Sequence, residues 1–286
     1  MKPLIVIVGP TASGKSKLSM EIAGRFNGEI ITADSWTVYK DFNIGTAKPS
    51  DDDRKLIKHH LLDVTTPHEG FSAAVFKTLA TRAIKQVQNR NKIPIIVGGT
   101  GLYIDSLIFD YSFLPQHDKS NRASLNELST EELLNITLQK GFDVSNIDTN
   151  NKRRIIRLIE NEGEQPTKNK LRPNILIIGI QVKNEVLTDR ITQRVDKMIA
   201  DGLESEVDTL QKIYGWGLEP MKGIGYKEWK EYFNKTQTLE QTREMIIAST
   251  KKLVKKQGTW FKRNKSIHWV NNQREAVELV TTFLGK

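Results

Sequence analysis

Eight residues near the start of the chain have the types and the spacing of a phosphate-binding loop. Gly9-Pro10-Thr11-Ala12-Ser13-Gly14-Lys15-Ser16 satisfies the pattern G-x-x-x-x-G-K-[ST] and lies between an apolar run and the start of a helical pattern. Glycines let backbone N–H groups turn toward a di- or triphosphate at a helix N-terminus, where the helix dipole also favours negative charge. Lys15 adds a positive charge, and the Ser16 hydroxyl is placed to ligate Mg²⁺. The loop therefore predicts phosphate binding.

A carboxylate follows the second apolar run of the chain. Asp34 lies in GEIITADS, so we expect it at the carboxyl edge of a sheet, where open α/β folds bind their ligands. It could take a proton from a substrate or bind the metal through water. A helix-capping role is the alternative for Asp34 and for Ser35. The later run over 93–97 ends in Gly98-Gly99-Thr100-Gly101 and has no acid for magnesium, which disfavours a motor-like ATPase.

Five apolar runs predict the buried strands that must position these groups. Helical patterns lie between most of these runs, including 15–26 and 73–88, and parallel pairing is the natural consequence. The predicted fold class is α/β, a P-loop NTPase-like doubly wound parallel sheet. The strands are predicted over residues 4–8, 29–33, 61–64, 93–97 and 175–180.

The sequence changes character inside this core. Residues 116–171 are polar and helix-rich without a strand pattern, which predicts a helical insertion subdomain within a core of 1–115 and 172–286. Ser129 and Glu132 predict a capping box for a helix over 130–140 that ends at Gly141.

Two further helical patterns carry arginines. A helix over 151–161 would have apolar residues on one face and Arg153, Arg154 and Arg157 on the other, where they could bind a polyanion or be solvated. One long helix is predicted over 185–212. On it Arg190 and Arg194, at i and i+4, could reach a phosphate or form surface charge.

Composition narrows the class of protein. The 286 residues are 38% hydrophobic and 27% charged, and no apolar run approaches the roughly 18 residues of a membrane span. The first apolar run breaks into the glycine loop, so we interpret it as a strand and expect a cytoplasmic protein. The chain has no cysteine, which excludes disulfides and thiolate chemistry. A net charge of +9, with seven Lys or Arg and no acid in 251–265, favours a polyanionic partner.

Several segments occur in an order that resembles one known family. They are GPTASGKS, ADSWTVYKDFNIGTAKP, HHLLDV, IIVGGTGLY, NNKRRIIRLIE, RITQRVDKMIADGLESEV, KGIGYKEW and KKQGTWF. Together they resemble the bacterial tRNA dimethylallyltransferase family, also called isopentenylpyrophosphate tRNA transferase, over nearly the full length. Trp36, Thr37 and Gly258 depart from the residues usual in that family.

The resemblance implies a reaction. The loop would bind the pyrophosphate of dimethylallyl diphosphate, and N6 of adenosine 37, in an adenosine-rich anticodon loop of tRNA, would attack the allylic carbon. Asp34 would be the general base, and Lys15, Ser16 and Mg²⁺ would neutralise the leaving pyrophosphate. Thr100 matches a family position near the reacting centre, with a helix cap as its alternative. We expect a monomer.

The resemblance also implies that the insertion subdomain over 116–171 binds tRNA, and it implies individual tRNA contacts, most of which fall in basic segments. Trp260 and Phe261 could stack on a base, but an aromatic pair in a basic segment is more often an anchor into the core. The implied contacts are Asp34, Ser35, Trp36, Thr37, Thr100, Arg122, Arg154, Arg157, Lys222, Gly223, Gly225, Lys227, Lys255, Lys256, Gln257 and Trp260.

Three other functions fit part of the sequence. A prenyltransferase acting on free adenosine phosphates would share the loop and Asp34, but the helical insert and the basic segment favour tRNA. A small-molecule P-loop kinase could use the loop with Arg190 and Arg194, and would leave KKQGTWFK without a role. A non-catalytic RNA-binding protein could use the loop to hold a phosphate of the RNA chain.

Overall fold

A computed structural model describes residues 2–114, 119–145 and 147–285. Six strands form one sheet: β1 Leu4–Val8, β2 Gly28–Thr32, β3 His59–His60, β4 Ile93–Gly98, β5 Ile175–Ile180 and β6 Ile267–Val270. The helices are α1 Lys15–Phe26, α2 Asp51–Leu56, α3 Ala73–Asn89, α4 Gly101–Ile108, α5 Lys119–Glu127, α6 Thr130–Gln139, α7 Lys152–Glu160, α8 Asn184–Ala200, α9 Leu203–Tyr214, α10 Lys230–Phe233, α11 Leu239–Phe261 and α12 Gln273–Leu284. No helix in this part of the chain is both long and apolar enough to cross a membrane.

The order of the strands brings the predicted chemistry to one edge. The order is β3-β2-β4-β1-β5-β6, and every adjacent pair is parallel. The strands β2, β4 and β1 are therefore neighbours, and the loops that follow them leave the sheet side by side at its carboxyl edge. The predicted α/β fold, P-loop NTPase-like and doubly wound, is confirmed.

Helices cover both faces of the sheet. The strand β1 is buried along its whole length, as parallel strands covered on both faces are. One apolar cluster joins the sheet to α1 and α12. A second cluster joins the segment after β2 to α8, α9, α11 and the residues around Trp229. This second cluster builds the surroundings of Asp34.

The structure differs from the sequence prediction at three elements. The apolar run over 61–64 is not a strand, because Leu61 and Asp63 have φ angles of 63° and 56° and turn the chain away from the sheet. The short edge strand β3 lies just before it. The helix predicted over 185–212 is two helices, because Gly202 adopts a φ of 101° between them. Strand β6 lies at an edge of the sheet and was not predicted from its short polar-flanked run.

The chain divides into two compact units. One comprises Met1–Ile108 with Arg172–Lys286, and the other comprises Phe109–Leu171. The predicted boundary between 115 and 116 lies outside the described residues, and the domain division at 115/116 and 171/172 stays a prediction. Inside the second unit, Ser129 and Glu132 form the expected capping box of α6, and Ile155, Ile156 and Ile159 pack against Leu125 and Leu133.

Candidate active site

The segment from Gly9 to Ser16 has the geometry of an anion-binding loop. It connects β1 to α1, and Gly14 precedes the helix with a φ of 96°, a left-handed conformation that favours glycine. No residue of the first turn of α1 is acidic, and Gly14 at the N-cap has no side chain that could cap the helix. The first N–H groups of α1, at the positive end of the helix dipole, are therefore available to an anion.

Three cationic side chains lie at this loop. Lys15 donates to the carbonyl of Pro10 at 2.6 Å, and Arg190 of α8 donates to the carbonyl of Ser13 at 3.5 Å. The pKa of Lys15 is lowered to about 7, mainly by burial and then by the positive charge of Arg194, while Asp34 opposes both. Burial also lowers the pKa of Arg194, and Asp34 again opposes it. The loop therefore concentrates positive charge in a partly desolvated place, which an anion would stabilise.

One buried polar atom in the loop has no hydrogen-bond partner among the described residues. The Ser13 side chain is only 3% exposed, and its hydroxyl makes no hydrogen bond with any described residue. Buried polar groups are nearly always hydrogen-bonded, because an unpaired one costs about 1–3 kcal/mol. A bound anion at the loop would give this hydroxyl an acceptor.

Asp34 lies two residues beyond β2 and is half-buried. Its Oδ1 accepts the backbone N–H of Trp36 at 2.9 Å, which turns the chain sharply and holds the carboxylate in place. No helix begins at Asp34 or Ser35, so the capping alternative for these residues was wrong. The half-buried carboxylate faces the same cavity as Arg194.

Thr100 connects the loop after β4 to the Asp34 segment. Its hydroxyl accepts the backbone N–H of Ser35 at 3.2 Å, and its own N–H donates to the carbonyl of Ala33 at 3.4 Å. Gly98 permits this approach, because a methyl group at its Cα would collide with the carbonyl of Ala33. The Thr100 side chain thus bonds to Ser35 and does not cap α4.

Two side chains of α11 contact the loops that follow β1 and β4 and the start of α4. The Gln257 carboxamide accepts the N–H of Thr11 at 2.8 Å and donates to the carbonyl of Gly99 at 3.1 Å. Trp260 packs on Gly101 and donates from its indole nitrogen to Asp105 at 3.1 Å. Both aromatic residues of the basic segment therefore anchor α11, since Phe261 is also buried.

Two cavities border the loop. A small one of about 70 Å³ is lined by Thr11, Asp34 and Arg194 together with apolar side chains of α8 and α11. A larger one of about 770 Å³ borders Ser13 and Gly14 and extends to Arg190. The charged loop thus lies beside both a small space next to Asp34 and a wide one next to Arg190.

The other tRNA contacts implied by resemblance occupy varied environments. Lys222, Lys227, Lys255 and Lys256 are exposed, whereas Thr37 is 5% exposed and its hydroxyl has no partner among the described residues. Gly223 lies against the indole of Trp36, which is half-buried.

In the second unit, Arg154 is exposed, but Arg122 and Arg157 both approach the buried carboxylate of Glu160, at 3.5 and 3.7 Å. Arg157 also donates to the carbonyl of Leu114 at 2.9 Å. Two of the three predicted basic contacts therefore also serve the packing of this unit.

The sequence left the role of two arginines open and gave Gln257 only as a tRNA contact. Arg190 and Arg194 were open between phosphate binding and surface charge, and their i, i+4 spacing on α8 was the only signal. Their position at the loop favours phosphate binding. The bridge made by Gln257 had no signal in the sequence, because its partners lie in two remote loops.

Comparison with known proteins agrees with this geometry. The family model described as IPP transferase matches residues 37–264. The chain is 42% identical to a tRNA dimethylallyltransferase of Anoxybacillus flavithermus, over 93% of this chain and 89% of that protein, and 41% identical to one of Acetivibrio thermocellus, over 95% and 92%.

Solved structures of tRNA-modifying transferases also match this chain. The crystal structure of a tRNA isopentenylpyrophosphate transferase from Bacillus halodurans matches with a TM-score of 0.77 and 32% identity, covering 100% of this chain and 96% of that one. A eukaryotic dimethylallyltransferase acting on tRNA matches with a TM-score of 0.85 and 25% identity, covering 100% of this chain and 80% of that one.

Proposed function

The chain belongs to the IPP transferase family, the tRNA dimethylallyltransferases, and on that premise we propose which bonds this prenyltransferase makes and which residues act on them. It transfers the dimethylallyl group of dimethylallyl diphosphate to N6 of adenosine 37 in an adenosine-rich anticodon loop of tRNA. The new C–N bond forms as the allylic C–O bond breaks, pyrophosphate leaves, and the amine proton passes to Asp34. The observation that carries this proposal is the proximity of a cationic anion-binding loop and the half-buried carboxylate of Asp34, which lines one cavity with Thr11 and Arg194 and opposes the lowering of the pKa of Lys15 and of Arg194.

The loop holds the donor's pyrophosphate. Backbone N–H groups at the start of α1, the ammonium of Lys15 and the guanidinium of Arg194 surround the place where negative charge develops as the C–O bond breaks. Hydrogen-bond donors that already point at that charge commonly lower the activation barrier more than any other feature of such a site. The Ser13 hydroxyl, which has no partner within the described part of the chain, supports this assignment, because a diphosphate oxygen would accept its hydrogen bond.

Magnesium fits this loop as a companion of the diphosphate. The exposed Ser16 hydroxyl on the first turn of α1 would ligate it, and within the described residues no cluster of three His, Asp or Glu could form a separate cation site. Mg²⁺ commonly binds through few protein groups together with substrate phosphates. When bound, the ion supplies positive charge to the departing pyrophosphate.

Asp34 accepts the proton of the attacking amine. Its Oδ1 is engaged by the N–H of Trp36, which orients the carboxylate, and Oδ2 is the oxygen that the N6 amine would approach. Thr100 holds the adjoining Ser35 and thereby supports this orientation. Proton transfer to a positioned base contributes about 10²- to 10⁴-fold in comparable reactions.

The small cavity beside Asp34 suits a short prenyl chain. It measures about 70 Å³, and its apolar walls include Ile191, Val195 and Ile246. A cavity of about 150 Å³ accommodates the six carbons of benzene. The branched end of a five-carbon group would therefore fit this smaller space, whereas a ten-carbon chain would be too large for it.

The tRNA contacts proposed are those implied by resemblance, with the exposed lysines binding phosphates. Such contacts make binding depend strongly on salt. The target adenosine must leave its stack to reach Asp34, a displacement that enzymes acting on bases commonly impose. The proposal also places the enzyme in the cytoplasm as a monomer.

The test is transfer of labelled prenyl from dimethylallyl diphosphate, with Mg²⁺, to unmodified tRNA, with AMP as competing acceptor and ATP as alternative donor. We expect label in tRNA alone, and none in a tRNA whose adenosine 37 is replaced by guanosine. Label in AMP alone would assign the enzyme to free nucleotides, and phosphate transfer from ATP without prenylation would overturn the proposal.

A further inference from the structure

A carboxylate on α9 fixes the chain segment that follows Asp34. Glu206 lies in the first turn of α9, just after the break at Gly202. Its Oε2 accepts the backbone N–H of Asn43 at 3.1 Å and of Ile44 at 2.8 Å, and its Oε1 accepts that of Gly45 at 3.1 Å. Three successive amides of a loop therefore converge on one acid.

A phenol completes the set. Tyr226 donates to Oε1 of Glu206 at 2.7 Å, so the carboxylate accepts four hydrogen bonds, about the number that its lone pairs allow. The Tyr226 ring is buried, lies 4.9 Å from the ring of Phe42 between centroids, and packs on Gly45 so closely that a methyl group there would collide with it. Burial and the charge of Glu206 both raise the pKa of Tyr226, so the phenol keeps its proton and donates.

Glu206 thereby joins two segments that each carry expected tRNA contacts. One is residues 34–45, and the other is residues 222–227. They pack against each other: a methyl group added at Gly225 would lie 3.4 Å from the carbonyl oxygen of Gly45, and one added at Gly223 would lie 3.2 Å from the indole of Trp36. Both segments line the small cavity that Asp34 faces, the first at Trp36 and Gly45 and the second at Ile224 and Gly225.

Regular structure does little to hold the first segment. Residues 33–50 contain no helix, and their only strand pairing is the single bridge between Tyr39 and Thr65. A loop of this kind keeps one conformation only if its backbone groups are bonded elsewhere. The bonds to Glu206 supply that constraint where the segment turns back toward residues 222–227.

We propose that Glu206 is a positioning residue for the transfer reaction, which holds the segment 34–45 against the segment 222–227 so that Asp34 and Trp36 meet the acceptor base. The inference rests on the proposed function. Glu206 lies outside the loop 9–16 that binds pyrophosphate. Its loss should therefore affect the reaction of tRNA and leave the binding of pyrophosphate unchanged.

The test compares Glu206→Gln with Glu204→Gln. Glu204 lies on the same helix and also accepts a hydrogen bond from a phenol, that of Tyr232 at 2.8 Å, but none from residues 43–45. In Glu206→Gln the amide nitrogen would face N–H donors, and we expect kcat with tRNA to fall about 10- to 100-fold, as small misplacements of reacting groups do. Affinity and stoichiometry for pyrophosphate, measured by calorimetry, should be unchanged, which excludes a loss of folded enzyme. Glu204→Gln should behave as wild type.

Two further measurements test the role of Glu206. Tyr226→Phe removes one bond of the four and should lower kcat less than Glu206→Gln does. Amide hydrogen exchange of the free protein should accelerate at residues 43–45 in Glu206→Gln and not in Glu204→Gln. Unchanged exchange there would overturn the inference even if wild type transferred no prenyl, whereas an inactive wild type with the expected exchange would count against the proposed function alone. Equal loss of kcat in Glu206→Gln and Glu204→Gln would also overturn the inference about Glu206.

Discussion

The backbone N–H of Thr11 donates to the side-chain oxygen of Gln257 at 2.8 Å, although 246 positions separate the two residues in the chain. The nitrogen of the same carboxamide donates to the carbonyl of Gly99. One side chain of α11 therefore joins the loop after β1 to the loop after β4. Because both of its polar groups are engaged inside the protein, Gln257 supports the anion-binding loop in addition to any contact with tRNA.

Replacing Gln257 by Leu should weaken donor binding. The substitution keeps most of the side-chain volume but leaves the N–H of Thr11 and the carbonyl of Gly99 unpaired, at a cost of about 1–3 kcal/mol. We expect the dissociation constant for dimethylallyl diphosphate to rise about tenfold or more, since about 1.4 kcal/mol is a factor of ten. Lys255→Ala, an exposed change two residues earlier, should leave donor binding intact and weaken tRNA binding. A Gln257→Leu enzyme that loses only tRNA affinity would contradict this.

Donor binding should depend on pH through Lys15. With a pKa of about 7 in the free protein, this side chain is largely ammonium below pH 7 and largely neutral above it. An anion favours the ammonium, so binding raises the pKa of Lys15 and takes up a proton between pH 7 and the higher bound pKa. Affinity for pyrophosphate should therefore fall as pH rises through this range.

The measurement is calorimetry at pH 8 in two buffers of different ionisation enthalpy. The difference in heat gives the number of protons taken up on binding pyrophosphate. Lys15→Arg is the matched control, because a guanidinium stays charged throughout and reports only the ionisation of the ligand itself. Equal proton uptake by both proteins would show that Lys15 is already an ammonium in the free enzyme.

Asp34→Asn should separate chemistry from binding. The asparagine carbonyl can still accept the N–H of Trp36, which Asp34 accepts at 2.9 Å, so the local turn should persist. The amide cannot take a proton from the amine, and we expect single-turnover prenyl transfer to slow about 10²- to 10⁴-fold. Affinity for tRNA, measured by filter binding, should change little. Transfer at the wild-type rate would remove Asp34 from the role of general base.

Arg154 and Arg157 should respond differently although both were expected to contact tRNA. Arg154 is exposed, so Arg154→Ala should leave the free energy of unfolding unchanged and reduce the salt slope of tRNA binding by about one. Arg157→Ala should also destabilise the protein by about 1–3 kcal/mol, because Glu160 is buried and loses one of its partners. Urea unfolding and tRNA titrations at several salt concentrations measure both quantities. Equal stability of the two variants would contradict the structural role of Arg157.

Local patterns were sufficient where neighbouring residues determine the conformation. The loop from Gly9 to Ser16, the helix that follows it and the capping box at Ser129 were all expected, because each depends on contacts within a few residues. Where several conformations were locally acceptable, expectation and structure diverged. Leu61 begins an apolar run that could have been a strand, and Gly202 lies in a helical pattern that one left-handed residue divides.

By itself the sequence determined the α/β fold, the anion-binding loop and the presence of Asp34 beyond the second strand, since strand periodicity and motif spacing are local properties. Only the tertiary structure decided which side chains complete the site. Gln257 bonds to Thr11, Arg194 acts on Lys15, and Glu206 holds residues 43–45. These contacts join residues far apart in the chain, and their geometry exists only after the strand order and the packing of α8, α9 and α11 have brought the elements together.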